Sequence, residues 1–214
     1  SWGGYLTCIA SGIDSRFACA IPVYGCGFLQ QNSADDWMKI FAAMSPEQRQ
    51  EWHNKCAPSV YLTSASMPML FVSGTNDFAY PLDSLEKSCK LPVGEVTRCF
   101  RLDMPHSHED GWNPIEISIF ADQHLSEGVP LPTIKNIETR GNVIKADITG
   151  LSSIQDGYLL FTEDTNPWMN RQWEQASAKL INSDGIEAPI PDRAAACFLA
   201  IEDQRGAYVS APYM

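Results

Sequence analysis

Apolar and polar positions along the first 130 residues follow an order of strands and helices. Two apolar runs of strand length, FACAIPVYG (17–25) and PMLFVSG (68–74), end in glycine, and a third run, VTRCFRLDM (96–104), follows a helical segment. Such runs are typical of strands that are buried on both faces of a parallel sheet. Because helix-period segments separate them, the pattern predicts a doubly wound α/β sheet over residues 1–129.

The helix starts carry recognisable capping signals. Residues 3–11 have a helical pattern that Gly12 is expected to close. Ser33 is the expected cap of a helix with an acidic first turn, and Ser45 caps a second helix that begins with proline. Asn113 is the expected cap of a third helix, in the segment NPIEISIFADQHL.

The pattern changes at the segment SEGVPLPTI, which carries two prolines. After it, short strand-like units follow one another with turn residues between them: TIKNIETRG, NVIKADITG, GYLLFTED, RQWEQASAKL, AACFLAIEDQRG and AYVSAPYM. This spacing predicts a small antiparallel β-sandwich of the immunoglobulin or fibronectin kind over residues 130–214.

Composition narrows the classes of partner. The formal net charge is −11, from 15 basic and 26 acidic side chains, and we find no Lys/Arg cluster. A nucleic acid or an anionic membrane is therefore a poor partner, and a neutral or cationic small molecule is favoured. The 7 cysteines contain no Cys-x-x-Cys pair and histidine is scarce, so we expect no metal site. Cys56–Cys89 and Cys89–Cys99 remain open as disulfides, depending on the redox compartment.

The opening stretch SWGGYLT introduces the candidate chemistry. Ser1 stands before a glycine-rich helix start, as in the second half of a G-x-S-x-G nucleophile turn. An acyl-transfer serine also needs a base, a carboxylate that orients the base, and amide donors for the oxyanion. Asp77 directly follows the strand at 69–72, and the histidines of MPHSH follow the next strand. The order serine, aspartate, histidine is therefore present, and the amide of Trp2 is the expected oxyanion donor.

Two histidines compete for the role of the base. His108 lies four residues beyond Met104 and His106 only two, so we favour His108 and give His106 a place in the pocket. Trp2 and Trp112 are expected to line that pocket. Gly3 and Gly4 are expected to let the helix approach the neighbouring strand closely.

The motifs SWGGYLT, AIPVYGCGFL, FVSGTNDFAYPLDSLEKS and MPHSHEDGWNPIEISIFAD together resemble bacterial α/β-hydrolases of the acetyl xylan esterase and dienelactone-hydrolase-like group. They also resemble PhoPQ-activated pathogenicity-related proteins. The resemblance covers residues 1–130 and implies that Ser1 is the nucleophile, Asp77 the triad acid, and His106 or His108 the base. It implies no metal or cofactor, a short acyl ester on plant polysaccharide as substrate, and an extracellular or periplasmic location.

This sequence departs from the family pattern before Ser1. The family's glycines and earlier strands are not in this sequence, nor is the loop that supplies a second oxyanion donor. We therefore expect the chain to be the C-terminal portion of a longer hydrolase. Its first partner would then be the missing N-terminal part, covalently joined or bound as a separate chain.

The sequence thus predicts a serine hydrolase that cleaves carboxylic esters through an acyl-enzyme. Two alternatives stay open. One is a serine peptidase of the prolyl-oligopeptidase type, which has the same residue order. The other is a non-catalytic binding module whose triad residues are relics. An N-terminal-nucleophile hydrolase is disfavoured, because those enzymes are built on stacked antiparallel sheets.

Overall fold

The structure is a computed structural model that describes residues 1–32, 34–149, 154–181 and 184–214. Its helices are α1 (Trp2–Ile13), α2 (Asp35–Ala42), α3 (Pro46–Cys56), α4 (Pro58–Leu62), α5 (Leu82–Cys89), α6 (His108–Trp112) and α7 (Glu116–Leu125). Its strands are β1 (Met69–Gly74), β2 (Val96–Arg101), β3 (Thr133–Arg140), β4 (Val143–Thr149), β5 (Ile154–Thr162), β6 (Glu174–Ser177), β7 (Lys179–Ile181), β8 (Gly185–Pro189), β9 (Ala196–Asp203) and β10 (Tyr208–Ser210). Short 3-10 helices span Leu29–Gln31 and Trp168–Asn170.

The fold is mixed α/β with two sheets. One sheet has six strands in the order β1-β2-β10-β9-β5-β6, and the other has four in the order β3-β4-β8-β7. β1 and β2 are parallel, in register from Met69 opposite Val96 to Gly74 opposite Arg101, and the other pairs are antiparallel. The predicted strands at 68–74 and 96–104 are therefore confirmed as neighbouring parallel strands, although β2 ends at Arg101 and is fully buried only at Cys99 and Phe100.

The C-terminal strands continue the sheet that the N-terminal strands begin. Ser210 of β10 pairs with Arg98 of β2, and its hydroxyl accepts a hydrogen bond from the amide of Phe100 (3.0 Å). The buried carboxylate of Glu116 in α7 adds a second tie, since it binds the Arg101 guanidinium (2.5 Å) and the amide of Tyr208. Strands on both sides of the expected boundary at 129/130 thus share one sheet, and the division into separate domains stays a prediction.

The two sheets also share one core. Every residue of β1 is buried, and the buried side chains of β9 pack in the same cluster as Ile144 and Ile186 of the four-stranded sheet. Gly157 in β5 has no side chain, and a Cβ there would lie 2.8 Å from Cδ1 of Ile186. The absence of that side chain lets the smaller sheet approach β5 closely.

The sequence predicts a strand at 17–25. In the structure, residues 20–24 lie beside β1, on the side away from β2. Ala20 and Val23 form parallel bridges with Met69 and Val72, but no regular strand results. Pro22 lies between them and has no N–H to donate, which explains why the strand is irregular.

Three expected helix boundaries are corrected or fall outside the described part. Gly12 does not end α1: it lies inside the helix, where a Cβ would lie 2.0 Å from the Tyr61 carbonyl oxygen, so it permits the packing of α4. Asn113 does not cap α7, because Ser107 caps a short helix before it and Asn113 becomes the C-cap of that helix. Ser45 does cap α3, with a capping box to Gln48, while Ser33 lies outside the described residues.

In its described part, the C-terminal half has eight strands against six predicted units, because RQWEQASAKL divides into β6 and β7 and because β8 is additional. β8 pairs with both β4 and β7, and its sequence GIEAP was missed because it is short and ends in proline. The 7 cysteines are all free thiols, so neither proposed disulfide is formed. In the described part of the chain, no helix has the length and apolar character needed to cross a bilayer.

Helix α1 is seated on residues 23–25 by backbone contact. A Cβ on Gly4 would lie 2.2 Å from the Val23 carbonyl oxygen, and one on Gly25 would lie 2.0 Å from the Gly4 carbonyl carbon. The expected close approach is confirmed for Gly4. It is wrong for Gly3, around whose Cβ position there is no atom within 4 Å.

We therefore expect opposite effects from two neighbouring substitutions. Gly4→Ala should lower the free energy of unfolding by about 1–3 kcal/mol, because its methyl would meet the backbone of Val23 and of Gly25. Gly3→Ala should raise it by about 0.5–1 kcal/mol, since alanine is the better helix former. Denaturant unfolding of the two variants measures the difference, and equal values would contradict this packing.

Candidate active site

Ser1 is held at the N-terminus of α1 beside residues 20–24. Its backbone nitrogen donates a hydrogen bond to the Val23 carbonyl (2.9 Å), and its hydroxyl makes no capping bond to the helix. This bond seats the start of α1 beside the segment 20–24.

Asp77 is placed by the turn that follows β1. It is 1% exposed, and its Oδ1 accepts hydrogen bonds from the amides of Ala79 (2.9 Å) and Tyr80 (2.8 Å). Its Oδ2 accepts a longer hydrogen bond from the Ser73 hydroxyl (3.3 Å) and lies 2.8 Å from Nδ1 of His106. The carboxylate is thus buried and supplied with donors on both oxygens, as a buried charge requires.

This bonding fixes the tautomer of His106. A carboxylate oxygen can only accept, so Nδ1 of His106 is the donor in this contact. In the neutral ring the other nitrogen, Nε2, then has no proton and can accept one. This is the arrangement that a general base requires.

The loops after β1 and β2 are tied to each other. The Thr75 amide donates to the Arg101 carbonyl (3.0 Å), and the Asp103 amide donates to the Thr75 hydroxyl (3.0 Å). Gly74 lets the second loop come close, since a Cβ there would lie 2.2 Å from the Met104 carbonyl oxygen. Both loops leave the same edge of the parallel pair, and these ties bring Asp77 and the histidine loop together.

The loop that carries Asp77 is also bonded to the C-terminal half of the chain. The side-chain amide of Asn76 donates to the carbonyls of Arg171 (2.6 Å) and Met169 (3.3 Å), at the 3-10 helix before β6. The Asp77 turn is therefore fastened on one side by the histidine loop and on the other by residues 169–171.

Aromatic rings surround the imidazole of His106. Tyr24 stacks on it with the ring centroids 4.3 Å apart and an interplanar angle of 18°, and Phe78 lies at 5.0 Å in a tilted arrangement. Tyr80 is nearly parallel to it at 6.0 Å. Burial raises the pKa of the Tyr80 hydroxyl, and the neighbouring Ser1 opposes that shift. Because these aromatic rings cover it, the imidazole is only 11% exposed.

Ser1 and His106 open into the same cavity, which has a volume of about 690 Å³. Its wall is formed by residues of α1, of the segment 20–24 and of the loop and helices after β2: Ser1, Trp2, Gly3, Gly4, Thr7, Ile21, Val23, Tyr24, His106, Ser107, His108, Gly111, Trp112 and Ile117. In the described part of the chain, no Asp, Glu, Lys or Arg belongs to this wall. The cavity therefore suits an uncharged ligand.

The start of α1 offers amide donors to this cavity. Trp2 is the first residue of the helix, and the earliest helical hydrogen bond runs from the Tyr5 amide to the Ser1 carbonyl (3.0 Å). The first amides of a helix have no partner within it and lie at the positive end of its dipole. The Trp2 amide therefore has the free N–H that an oxyanion donor requires.

The structure brings most of the predicted residues together, with one change of preference. Ser1, Trp2, His106, His108 and Trp112 line the cavity, and Asp77 lies behind His106. The preference for His108 is not supported by the geometry, because the histidine that contacts Asp77 is His106. The capping of α6 by Ser107 explains the difference, since it places His108 on an exposed first helical turn.

Sequence reasoning missed the aromatic rings around His106. Tyr24 and Tyr80 are scarcely distinguishable in sequence from ordinary core residues, and Phe78 from a turn residue. Trp37, which the sequence also offers as a pocket residue, is outside the cavity wall: it meets the Trp2 ring edge-on at 5.9 Å and donates from Nε1 to the Ala79 carbonyl (2.8 Å). The one usable signal was the run NDFAYP, where aromatic residues directly follow the expected acid.

No protein-family model and no curated protein sequence matches the chain at a significant level. Among solved structures, the acetyl xylan esterase from Paenibacillus sp. R4 is similar at 21% identity and a TM-score of 0.46, over 58% of this chain and 43% of the esterase. Two crystal structures of wild-type OgpA from Akkermansia muciniphila align at 10% identity, with TM-scores of 0.30 and 0.29. Those alignments cover 87% of this chain and 72% and 73% of OgpA. The chain spans less than half the length of the esterase, and TM-scores below 0.5 assign neither fold nor activity to it.

Gly74 provides a test of how the site is assembled. We expect Gly74→Ala to push the Met104 carbonyl away, to separate His106 from Asp77, and to lower the free energy of unfolding by about 1–3 kcal/mol. The low-field proton resonance of the imidazole N–H bound to Asp77 should weaken or disappear. Gly185→Ala, a strand glycine in the other sheet, is the control and should leave that resonance in place. A Gly74→Ala protein with the resonance intact would contradict the assembly.

Proposed function

We propose that this chain is a serine hydrolase that cleaves carboxylic esters through a covalent acyl-enzyme, with Ser1 as nucleophile, His106 as base and Asp77 as the orienting acid. The observation that carries the proposal is the 2.8 Å contact between Asp77 and His106 at the wall of a cavity that also contains Ser1. A serine, a histidine and a buried carboxylate in this relation are the components of acyl-transfer chemistry.

In the first half of the proposed reaction, Nε2 of His106 takes the proton of the Ser1 hydroxyl as the oxygen attacks the ester carbonyl. Asp77 stabilises the imidazolium that forms and keeps its Nδ1–H in place. The carbonyl oxygen becomes an oxyanion, which the amide of Trp2 and the positive end of the α1 dipole stabilise. The tetrahedral intermediate then collapses: the bond to the alcohol breaks, and His106 returns the proton to the leaving alcohol.

In the second half, water replaces the alcohol. His106 takes a proton from the water as its oxygen attacks the acyl carbon, and a second oxyanion forms at the same amide. Collapse breaks the bond to the Ser1 oxygen, which regains its proton from His106, and the free acid leaves. Neither half requires a metal or a cofactor.

The cavity wall supports an uncharged ester as the substrate. The residue Trp112 is 80% exposed and Trp2 is 59% exposed, although both belong to the wall. Exposed indoles beside a catalytic centre are suited to stacking on a sugar ring or an acyl chain. Together with the resemblance of the sequence motifs, this makes short acyl esters on polysaccharide the first substrates to assay.

Replacement of the two histidines tests the proposal. With p-nitrophenyl acetate as substrate, we expect His106→Ala to lower kcat/KM by about 10²–10⁴-fold, because it removes the general base. We expect His108→Ala to change it by less than about tenfold, the effect of one hydrogen bond at most. We expect Ser1→Ala to show no more activity than the His106→Ala variant.

Three outcomes would overturn this assignment. A loss that follows His108 instead of His106 would transfer the role of base to His108. Faster cleavage of proline-containing amides than of acetyl esters would assign the protein to the peptidase alternative. If the unchanged protein binds a xylan oligosaccharide but hydrolyses none of these substrates, it is a binding module with relic triad residues.

A further inference from the structure

His106 is incompletely fixed by its hydrogen bond to Asp77. The side chain is attached through Cβ, and the contact with Asp77 holds the ring at Nδ1. A hydrogen bond weakens steeply only when its angle falls below about 120°, so the imidazole can still rock within that contact. Such rocking moves Nε2, at the far end of the ring, and a group packed on the ring face would restrict it.

Tyr24 has the geometry to restrict that movement. Its ring lies nearly parallel to the imidazole, at 4.3 Å and 18°, closer than Phe78 or Tyr80. Stacking over a face at this separation is a favoured aromatic arrangement. It opposes rocking out of the stacked plane, which is the movement that the Asp77 contact still allows.

Tyr24 is itself held at three points. Its amide donates to the Val72 carbonyl of β1 (2.9 Å), and its hydroxyl donates to the carbonyl of Pro105, the residue before His106 (2.7 Å). Its third neighbour is Gly111 of α6, where a Cβ would lie 2.8 Å from Cε2 of the Tyr24 ring. The side chain is 3% exposed, and burial raises the pKa of its hydroxyl to about 12. The hydroxyl thus keeps its proton as a donor.

The backbone at Tyr24 carries strain that core packing alone does not explain. Its φ is +57°, a region that tyrosine rarely adopts, and the next residue is a glycine. Residues held in this region are retained when the surrounding structure over-determines them, and they cluster at functional sites. Here the strained backbone lies at the end of the bridges to β1 and directs the ring over the imidazole.

We propose that Tyr24 is a positioning residue for His106: its ring fixes the imidazole plane so that Nε2 faces the cavity and Ser1, while its hydroxyl anchors the histidine loop at Pro105. The catalytic meaning of this role rests on the proposed ester hydrolysis. The geometric part of it, the ordering of the imidazole on Asp77, is independent of any substrate.

Three substitutions separate positioning from general stability. Tyr24→Leu removes the flat ring, and we expect it to lower kcat by about 10- to 100-fold, as for a misplaced catalytic group, with KM nearly unchanged. Tyr24→Phe keeps the ring and loses only the hydroxyl, so it should recover most of that loss. Tyr61→Leu is the matched control: the hydroxyl of Tyr61 also donates to a backbone carbonyl, that of Lys55 (2.6 Å), but the residue is outside the cavity wall.

A second readout does not depend on activity. The low-field N–H resonance of His106 should be present in the unchanged protein, in Tyr24→Phe and in Tyr61→Leu, and it should broaden or vanish in Tyr24→Leu. If Tyr24→Leu fails to fold, Gly111→Ala provides the same test from α6, because its methyl presses the ring of Tyr24. That variant should also weaken the resonance.

The outcomes distinguish this proposal from the proposed function. Unchanged kcat and an unchanged resonance in Tyr24→Leu would overturn the positioning role. Equal losses in Tyr24→Phe and Tyr24→Leu would also overturn it in favour of the hydroxyl alone. If the unchanged protein hydrolyses no ester but Tyr24→Leu still loses the resonance, the ester hydrolysis fails and the positioning role stands.

Discussion

The hydrogen bond between the Asp77 carboxylate and His106 is the interaction on which the rest of the site depends. It joins the two loops that follow the carboxyl ends of a parallel strand pair. Both loops must therefore keep their shape for the contact to form. The carboxylate is buried at low cost because backbone amides and a hydroxyl satisfy it. The imidazole is only 11% exposed because aromatic rings cover it. Apart from Tyr24, which comes from the segment beside β1, these groups lie within a few positions of the two strands.

The remainder of the fold keeps that strand pair in place. Helix α1 can bring Ser1 to the cavity because Gly4 and Gly25 allow backbone contact. On the far side, β10 covers the edge of β2, and Asn76 fastens the Asp77 turn to residues 169–171. The C-terminal half is thus in direct hydrogen-bonded contact with the strands and turns that form the site. A substitution in β10 or near Arg171 is consequently able to disturb the contact between Asp77 and His106 without touching the cavity.

Parts of this arrangement are readable from the sequence for clear physical reasons. Buried parallel strands are short apolar runs, and polar residues that follow them meet at one sheet edge, which is how Asp77 and the histidine loop were found. The choice between His106 and His108 was not readable, because it depends on where Ser107 starts a helix. Tyr24 was hidden for a similar reason: its role comes from a positive φ and from contacts with residues more than 80 positions away. The pairing of β10 with β2 was not predicted, because a strand of three residues leaves almost no periodic signal.

The central claim is that Ser1 is an activated nucleophile. The most direct measurement is intact-mass spectrometry of the protein before and after exposure to a fluorophosphonate, with peptide mapping of the labelled residue. The geometry predicts one probe per chain, on Ser1, with no labelling in Ser1→Ala and much slower labelling in His106→Ala. An unlabelled protein, or labelling of Ser1 at the same rate without His106, would contradict it.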